Sequence, residues 1–160
     1  MLNKALLCCV IKNNIKWVRE TIYSIQKYTD FNYRLLVVND ASKEQAITEY
    51  LKELDSQPKI ENKEIEIIHN PESYGYGFSA NEGIQRLKGE EYYILMNSDI
   101  FVTPNWLSEI VKSFEMNPQL GIICPATSWG AFEQSFYHAQ ENRLNWKEED
   151  ILKFAIKVKD

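Results

Sequence analysis

Cysteine is scarce in this 160-residue sequence, which contains only Cys8, Cys9 and Cys124. The number is odd, the residues lie in apolar runs, and their spacing matches no zinc-binding pattern. A disulfide framework is therefore excluded as the organising principle, and we expect reduced thiols inside the fold. This cysteine usage favours a cytoplasmic protein, with peripheral attachment to the inner face of a membrane left open.

Long apolar segments and an excess of positive charge are also missing. The apolar run from Ala5 to Ile11 is too short to cross a bilayer and lacks a small-residue cleavage site. The net charge is −5 and basic residues are scattered among acids, so we expect no nucleic-acid partner. There is no Walker A sequence, and the glycines at 75 and 77 do not have dinucleotide-binding spacing. An anionic ligand would need help from a metal ion or from helix ends.

The sequence does contain 44% hydrophobic residues, arranged as short apolar runs that alternate with helical apolar patterns. The runs predict strands at 5–11, 33–38, 65–68, 92–96 and 121–125. The helical patterns predict helices at 15–28, 47–54, 78–87, 106–114 and 147–157, the fourth with Thr103 and Pro104 as its N-cap and first turn. This alternation predicts a mostly parallel sheet flanked by helices. We expect one domain over residues 1–160, in which 126–160 form a connection and a terminal helix.

Polar residues follow several of the predicted strands at the point where each strand ends. Ligands of open α/β sheets bind at these carboxyl ends, because the loops there can vary in sequence while the strands fix the positions of their ends. Asp99, in the triplet Asn97-Ser98-Asp99, could bind a divalent cation that also grips a diphosphate. Asp40 could accept hydrogen bonds from a nucleobase N–H or a ribose hydroxyl. Taken alone, either residue is explained as simply by a turn or a cap.

Five motifs follow one another along the chain: Val10–Asn14, Val37–Ser42, Asn70–Ile84, Leu95–Leu107 and Gly121–Pro125. In this order they resemble the family 2 glycosyltransferases with a GT-A fold, in particular the rhamnosyltransferase-like members. Two positions depart from the family pattern. Lys12 stands in place of a commoner Tyr or Phe, and Asn97 replaces the first acid of the D-x-D motif.

The resemblance implies a Rossmann-like GT-A sandwich, with a mostly parallel central sheet and the C-terminal part of the fold absent. It implies inverting, metal-dependent transfer of a sugar from a nucleotide-diphosphate sugar to a hydroxyl of a glycan or lipid-linked acceptor, in polysaccharide or glycan biosynthesis. The metal would be Mg²⁺ or Mn²⁺, bound by Asp99. The nucleotide-binding residues carried over from the family motifs are Asn13, Asp40, Ser42, Asn70, Asn81 and Asn97.

No catalytic base is assigned, because related enzymes supply it from a later, acceptor-binding region. Glu133, Glu141 and residues 148–150 are interpreted as surface or helix-start charges. The alternative function is a donor-binding module or truncated enzyme that binds nucleotide but is not catalytic alone. A sheet without its later strands would expose an edge and self-associate. A nucleotidyltransferase is disfavoured, because residues 12–15 provide no glycine-rich basic loop.

Overall fold

The computed structural model describes residues 5–58, 63–127 and 147–159. Its elements are β1 Ala5–Ile11, α1 Ile15–Tyr28, β2 Tyr33–Asn39, α2 Gln45–Asp55, β3 Lys63–His69, α3 Tyr76–Gln85, β4 Tyr92–Met96, α4 Trp106–Met116 and α5 Glu148–Lys159. The chain divides into two compact units, Met1–Pro104 with the sheet and Asn105–Asp160 with α4 and α5. This division into compact units does not test whether residues 1–160 form one domain, so the single domain stays a prediction.

The first unit is built on a four-stranded sheet in the order β3-β2-β1-β4. All three strand pairs are parallel, as the alternating pattern predicted. Because parallel strands end at the same edge, the loops after β1, β2 and β3 and the segment after β4 all leave from one side. The strand order reverses between β1 and β4, which is where ligands of such sheets bind.

The central strands are buried along their whole length. Every residue of β1 and β2 is buried, as continuous apolar runs predict for strands covered on both faces. The predicted inner faces of the first two helices are buried too. Their fully or almost fully buried residues are Val18, Ile22 and Ile25 on α1 and Ile47, Leu51 and Leu54 on α2. The hydrophobic effect of this core fixes the sheet from which the loops emerge.

Helix α3 packs closely on the sheet through small residues. Ser79, Ala80 and Gly83 are its buried positions. A Cβ atom at Gly83 would lie 2.6 Å from the Cys8 sulfur and 2.6 Å from the Tyr93 hydroxyl. The prediction that small residues let this helix approach the sheet is therefore confirmed, although the helix begins two residues earlier than predicted.

Three details of the sequence prediction are wrong. Residues 121–125 pair with none of the four described strands, because an apolar run becomes a strand only where a neighbour can bond its backbone. Asn105, at φ 64°, is the N-cap of α4, so Thr103 and Pro104 lie before the helix. Cys8 and Cys9 are buried as expected, but Cys124 is exposed.

Within the described residues, no helix is long and apolar enough to cross a membrane.

Candidate functional site

The loops after β1, β2 and β3 surround a cavity of about 570 Å³ at the carboxyl edge of the sheet. Two lysines and one glutamate contribute to its lining, which consists of Lys12, Asn13, Ala41, Lys43, Pro71, Glu72 and Ser73. Each of the three loops provides part of the wall. The shape of the cavity therefore depends on what holds the three loops together.

Asp40 holds the β3–α3 loop, residues 70–75. Its side chain is only 2% exposed, and five donors from this loop and from α3 point at its two oxygens. Oδ1 accepts from the backbone N–H of Tyr74 at 2.8 Å, from Asn70 Nδ2 at 3.3 Å and from Ser79 Oγ at 3.3 Å; Oδ2 accepts from Ser73 Oγ at 2.6 Å and from the backbone N–H of Gly75 at 3.2 Å. A single buried carboxylate thus organises the loop.

Lys12 completes this cluster from the β1–α1 loop. Its ammonium donates to Ser73 Oγ at 2.5 Å and lies 3.7 Å from Asp40 Oδ2. Burial raises the pKa of Asp40, but the hydrogen bonds from Ser73, Tyr74, Asn70 and Gly75 outweigh it and lower the pKa to about 2. Asp40 is therefore ionised at neutral pH. The lysine that replaces the family's commoner aromatic residue forms a polar bridge between two loops.

Asn13 joins the β1–α1 loop to the β2–α2 loop. Its backbone N–H donates to Ser42 Oγ at 2.8 Å. Its side-chain Oδ1 accepts from the backbone N–H groups of Lys43 at 2.7 Å and Glu44 at 3.3 Å. Asn13 has a positive φ of 58° and Ala41 one of 52°, so both loops turn through the left-handed region. The two predicted residues Asn13 and Ser42 bind each other.

Glu44 makes the reciprocal contact. Its two carboxylate oxygens accept from the backbone N–H groups of Asn14 at 2.7 Å and Ile15 at 3.0 Å. These N–H groups lie at the start of α1, where an acidic side chain is favoured, and the two bonds lower the pKa of Glu44. Glu44 was not predicted as a site residue, because an acid before a helix is ordinarily expected to cap its own helix.

The end of β4 is built differently. The backbone after Asp99 is fixed to α1, since Thr21 Oγ1 donates to the Ile100 carbonyl at 2.8 Å and the Val102 N–H donates to Ser24 Oγ at 3.1 Å. The side chains of Asn97 and Asp99 are exposed. No hydrogen bond joins the Asp99 carboxylate to a residue that the structure describes. This carboxylate is available to a ligand from solvent.

Asp99 fits a metal site that is shared with a substrate. The part of the chain that is described contains no group of three His, Cys, Asp or Glu side chains that could hold a metal ion by itself. Mg²⁺ takes oxygen ligands and commonly binds through one or two carboxylates with substrate phosphates and water. One exposed carboxylate beside the Asn97 amide provides that kind of donor set, and the diphosphate would complete it.

Tyr76, the first residue of α3, is a second residue that the sequence analysis did not assign. Burial raises its pKa, and the charges of Cys8, Cys9 and Asp99 raise it further. Burial, together with Cys8 and Asp99, also raises the pKa of Cys9 to about 12. Tyr76 is nevertheless 45% exposed at the start of α3.

The structure brings four of the predicted nucleotide-binding residues together and leaves three residues apart. Asp40 and Asn70 bond each other, and Asn13 and Ser42 bond each other, in the loops that surround the cavity; of these four residues, Asn13 lines it. Asn97 and the predicted metal ligand Asp99 follow β4. Asn81 is exposed on α3, and no hydrogen bond joins it to the other predicted residues.

A parallel sheet with a cavity and an exposed carboxylate at its carboxyl edge is typical of the open α/β class, whose ligands bind at this edge. The family follows from the sequence as a whole. Residues 7–159 match the model of Glycosyl transferase family 2, so this chain belongs to that family.

Known relatives share this fold over part of their length. An uncharacterised glycosyltransferase of Haemophilus influenzae is 30% identical over 108 residues, which are 68% of this chain and 32% of that protein. The mannosyltransferase PcManGT of Pyrobaculum calidifontis, solved with GDP-Man and Mn²⁺, superposes with a TM-score of 0.67 at 15% identity over 79% of this chain and 36% of its own. S. aureus TarS 1-349, solved with UDP-GlcNAc, gives 0.60 at 17% identity over 72% and 32%. The fold is the GT-A fold, and this chain spans about a third of the length of these relatives.

Proposed function

We propose that this chain forms the nucleotide-sugar-binding part of an inverting, metal-dependent glycosyltransferase. The observation that carries the proposal is the arrangement of the carboxyl edge, where a cavity lies at the ends of β1, β2 and β3 and an exposed carboxylate follows β4 at the same edge. The two parts flank the point where the strand order reverses. Family membership supports the same function, as do the GDP-Man and UDP-GlcNAc held by the structural relatives.

In this proposal the nucleoside occupies the cavity, and the diphosphate extends toward Asp99. Asp40, together with Asn13 and Ser42, holds the nucleoside. Asn70 and Asn81 shape the sugar-phosphate pocket, to which Asn97 also contributes. Asp99 holds the metal ion, Mg²⁺ or Mn²⁺, which would offset the charge that develops on the departing diphosphate. The lysines at the cavity rim, Lys12 and Lys43, add positive charge in a chain whose net charge is −5.

The transfer itself requires an acceptor hydroxyl whose oxygen bonds to the sugar carbon as the bond to the diphosphate oxygen breaks. Inversion follows when the two oxygens lie on opposite faces of the sugar. The hydroxyl proton must pass to a base within hydrogen-bond reach of the acceptor. No described residue is assigned that role, so the chain's own residues account for donor binding and leaving-group stabilisation.

The finer assignments rest on the motifs. The run from Asn70 to Ile84, with Gly75, Gly77 and Asn81 at the family spacing, supports the rhamnosyltransferase-like subgroup. We extend the proposal to a glycan or lipid-linked acceptor, a role in polysaccharide or glycan biosynthesis, and a cytoplasmic location. Identifying the acceptor to which the sugar is transferred in the complete reaction would test the subgroup and the biosynthetic role.

The experiment is calorimetric titration of UDP-, GDP- and dTDP-sugars, each with and without Mn²⁺, into the wild-type chain and into Asp99→Ala. We expect one nucleotide series to bind more tightly with Mn²⁺, and we expect the variant to lose that gain while keeping the metal-independent part. Asp55→Ala, which removes an exposed carboxylate at the end of α2, is the matched control. Equal Mn²⁺-dependent binding in wild type and Asp99→Ala would remove Asp99 from the metal site.

The second candidate function is donor binding without catalysis, because the groups assigned on the described carboxyl edge, the cavity and Asp99, all serve the donor side of the reaction. The same samples distinguish the two functions when free sugar and free nucleotide are measured after incubation with Mn²⁺. Binding without release, with or without simple alcohol acceptors, indicates a donor-binding module.

Self-association is a further expectation. Of the strands that the structure describes, β4 pairs only with β1, and Leu95 on β4 is 44% exposed. An unpaired edge with apolar side chains promotes association. Light scattering over a dilution series measures it, and a monomer at every concentration would contradict it.

A further inference from the structure

Helix α1 buries two hydroxyl side chains among its apolar residues. Thr21 and Ser24 are both 0% exposed, like Val18, Ile22 and Ile25 of the same helix. A buried hydroxyl costs free energy unless it is hydrogen-bonded, so packing alone would favour apolar residues at these two positions. The hydrogen-bond partners of the two hydroxyls therefore indicate what they do.

Both hydroxyls bond the backbone that follows Asp99. Thr21 Oγ1 accepts from the backbone N–H of Ile100 at 3.1 Å and donates to the carbonyl of the same residue at 2.8 Å. Ser24 Oγ accepts from the backbone N–H of Val102 at 3.1 Å and donates to the Thr21 carbonyl at 2.9 Å. This segment lies beyond the end of β4, so the two hydroxyls supply bonds that a neighbouring strand would supply within the sheet.

The bond from the Ile100 N–H to Thr21 fixes a peptide group that belongs in part to Asp99. The carbonyl of Asp99 and the N–H of Ile100 lie in one planar peptide unit, so holding the N–H restricts the backbone of Asp99. Before Asp99, the thiol of buried Cys9 donates to the carbonyl of Asn97 at 3.7 Å. Buried side chains thus hold the backbone on both sides of Asp99, whose carboxylate is exposed.

We propose that Thr21 is a positioning residue for the metal ligand Asp99: by bonding both backbone groups of Ile100, its hydroxyl fixes the place from which the Asp99 carboxylate meets the metal ion. The proposal deepens the proposed function and rests on it. Mg²⁺ demands near-ideal octahedral geometry, so a site with a single carboxylate tolerates little displacement of that group. Thr21 is 0% exposed, and its effect on a ligand therefore passes through the backbone.

Four substitutions separate positioning from general stability. Thr21→Val keeps the β-branched shape and removes the hydroxyl, whereas Thr21→Ser keeps the hydroxyl and removes a methyl group. Ser24→Ala removes the bond to Val102, which is farther along the chain from Asp99, and should have a weaker effect. Ile47→Val is the matched control for lost core packing, because Ile47 is 0% exposed on α2, which packs against β3 at the other edge of the described sheet.

The experiment has one measurement that needs no metal and one that does. Amide hydrogen exchange is measured at Ile100 and Val102 in the 160-residue chain without ligand. Calorimetry measures the affinity for a UDP-, GDP- or dTDP-sugar, whichever the wild-type chain binds, with and without Mn²⁺. The ratio of the two affinities is the Mn²⁺-dependent gain, which a loss of stability alone does not change.

We expect Thr21→Val to accelerate exchange at Ile100 about tenfold relative to the amides of β1. The same variant should reduce the Mn²⁺-dependent gain about fivefold, the equivalent of one hydrogen bond, while the metal-free affinity stays within about twofold of wild type. Thr21→Ser should keep most of the gain. Ser24→Ala should accelerate exchange at Val102 and reduce the gain about twofold.

The control Ile47→Val should lower the urea midpoint to a similar degree as Thr21→Val and leave the Mn²⁺-dependent gain unchanged. Unchanged exchange at Ile100 in Thr21→Val would overturn the proposal, because the hydroxyl would then not hold this backbone. A full gain in Thr21→Val would also overturn it, as would an equal loss of the gain in Thr21→Ser or in Ile47→Val. A wild-type chain without any Mn²⁺-dependent gain would reject the metal-dependent function itself, whereas a wild-type gain that survives Thr21→Val rejects only the positioning role.

Discussion

The two ends of the candidate site differ in how much of their polar chemistry is satisfied by the protein itself. At the cavity end, Asp40, Asn13 and Glu44 are bonded to neighbouring loops, and Asp40 is buried. At the β4 end, the backbone is fixed to α1, but the side chains of Asn97 and Asp99 extend into solvent.

This difference indicates that the two ends of the candidate site contribute in different ways. Preformed hydrogen bonds lower the entropy that must be lost when a ligand binds, and the cavity end is organised by such bonds without a ligand. The β4 end offers one exposed carboxylate, which in the proposed function would bind a metal ion together with the diphosphate. Substitutions at the cavity end should therefore change the stability of the fold, and substitutions at the β4 end should change metal-dependent binding.

The largest effect is expected from Asp40→Ala compared with Asp99→Ala. The first substitution leaves several buried donors without an acceptor and should lower the free energy of unfolding by about 3 kcal/mol. The second removes an exposed group and should change it by less than about 0.5 kcal/mol. Urea unfolding at neutral pH measures both, and equal losses would abolish the distinction between the two ends.

Helix α3 links the two ends, because it follows the β3–α3 loop and packs near Cys8 and Tyr93. Gly83→Ala would place a Cβ 2.6 Å from the Cys8 sulfur, and we expect it to cost about 2 kcal/mol of unfolding free energy. Gly77→Ala in the same helix meets no atom within 4 Å and should be neutral or slightly stabilising. Equal thermal stability of the two variants would show that the close approach is relaxed in solution.

The ionisation of Asp40 predicts an acid-sensitive cavity end. The pKa of this group falls from its ordinary 3.8 to about 2 on folding, so its stabilisation is complete above the unfolded pKa and is lost as the pH falls toward the folded one. Between pH 5 and pH 3 the wild-type chain should lose about 1 kcal/mol more than Asp40→Asn. Unfolding free energies of both chains at several pH values measure the difference; parallel curves would contradict the lowered pKa.

The smallest effect concerns the backbone of the cavity end. Ala41 adopts a φ of 52°, where a side chain is disfavoured and glycine is not. Ala41→Gly should therefore raise the free energy of unfolding by about 0.5 kcal/mol, after the entropic cost of glycine in the unfolded chain. Ala46→Gly on α2 is the opposite control and should destabilise the chain. A loss of stability in Ala41→Gly would show that the turn imposes no strain.

Much of the fold could be predicted because its signals are local. The apolar runs of β1, β2 and β4 and the three-and-four spacing on α1 and α2 each depend on residues close in sequence. The run at 121–125 carried a similar signal but forms no strand with the described sheet, because strand formation also needs a pairing partner. The same limit explains why α3 was placed two residues late, since its start depends on the turn at Gly75, with φ 86°.

The candidate site was predicted in position but not in detail. The polar residues at the strand ends do lie at one edge of the sheet, and the parallel strands bring Asn13, Asp40, Ser42 and Asn70 together there. The roles of Asp40 and Glu44 were not visible, because Asp40 meets donors 30 or more residues away and Glu44 caps the helix of another loop. A spacing pattern within one segment cannot reveal which residues of another loop its side chains will contact.

The sequence by itself determined the alternation of strands and helices, the polar edge and the membership in a glycosyltransferase family, because periodicity and motif order are properties of the chain. Only the tertiary structure decided which carboxylate is buried and which is open to solvent. That choice depends on the strand order β3-β2-β1-β4, which sets the loops after β1 and β3 against Asp40 and leaves Asp99 at the end of an outer strand of the described sheet.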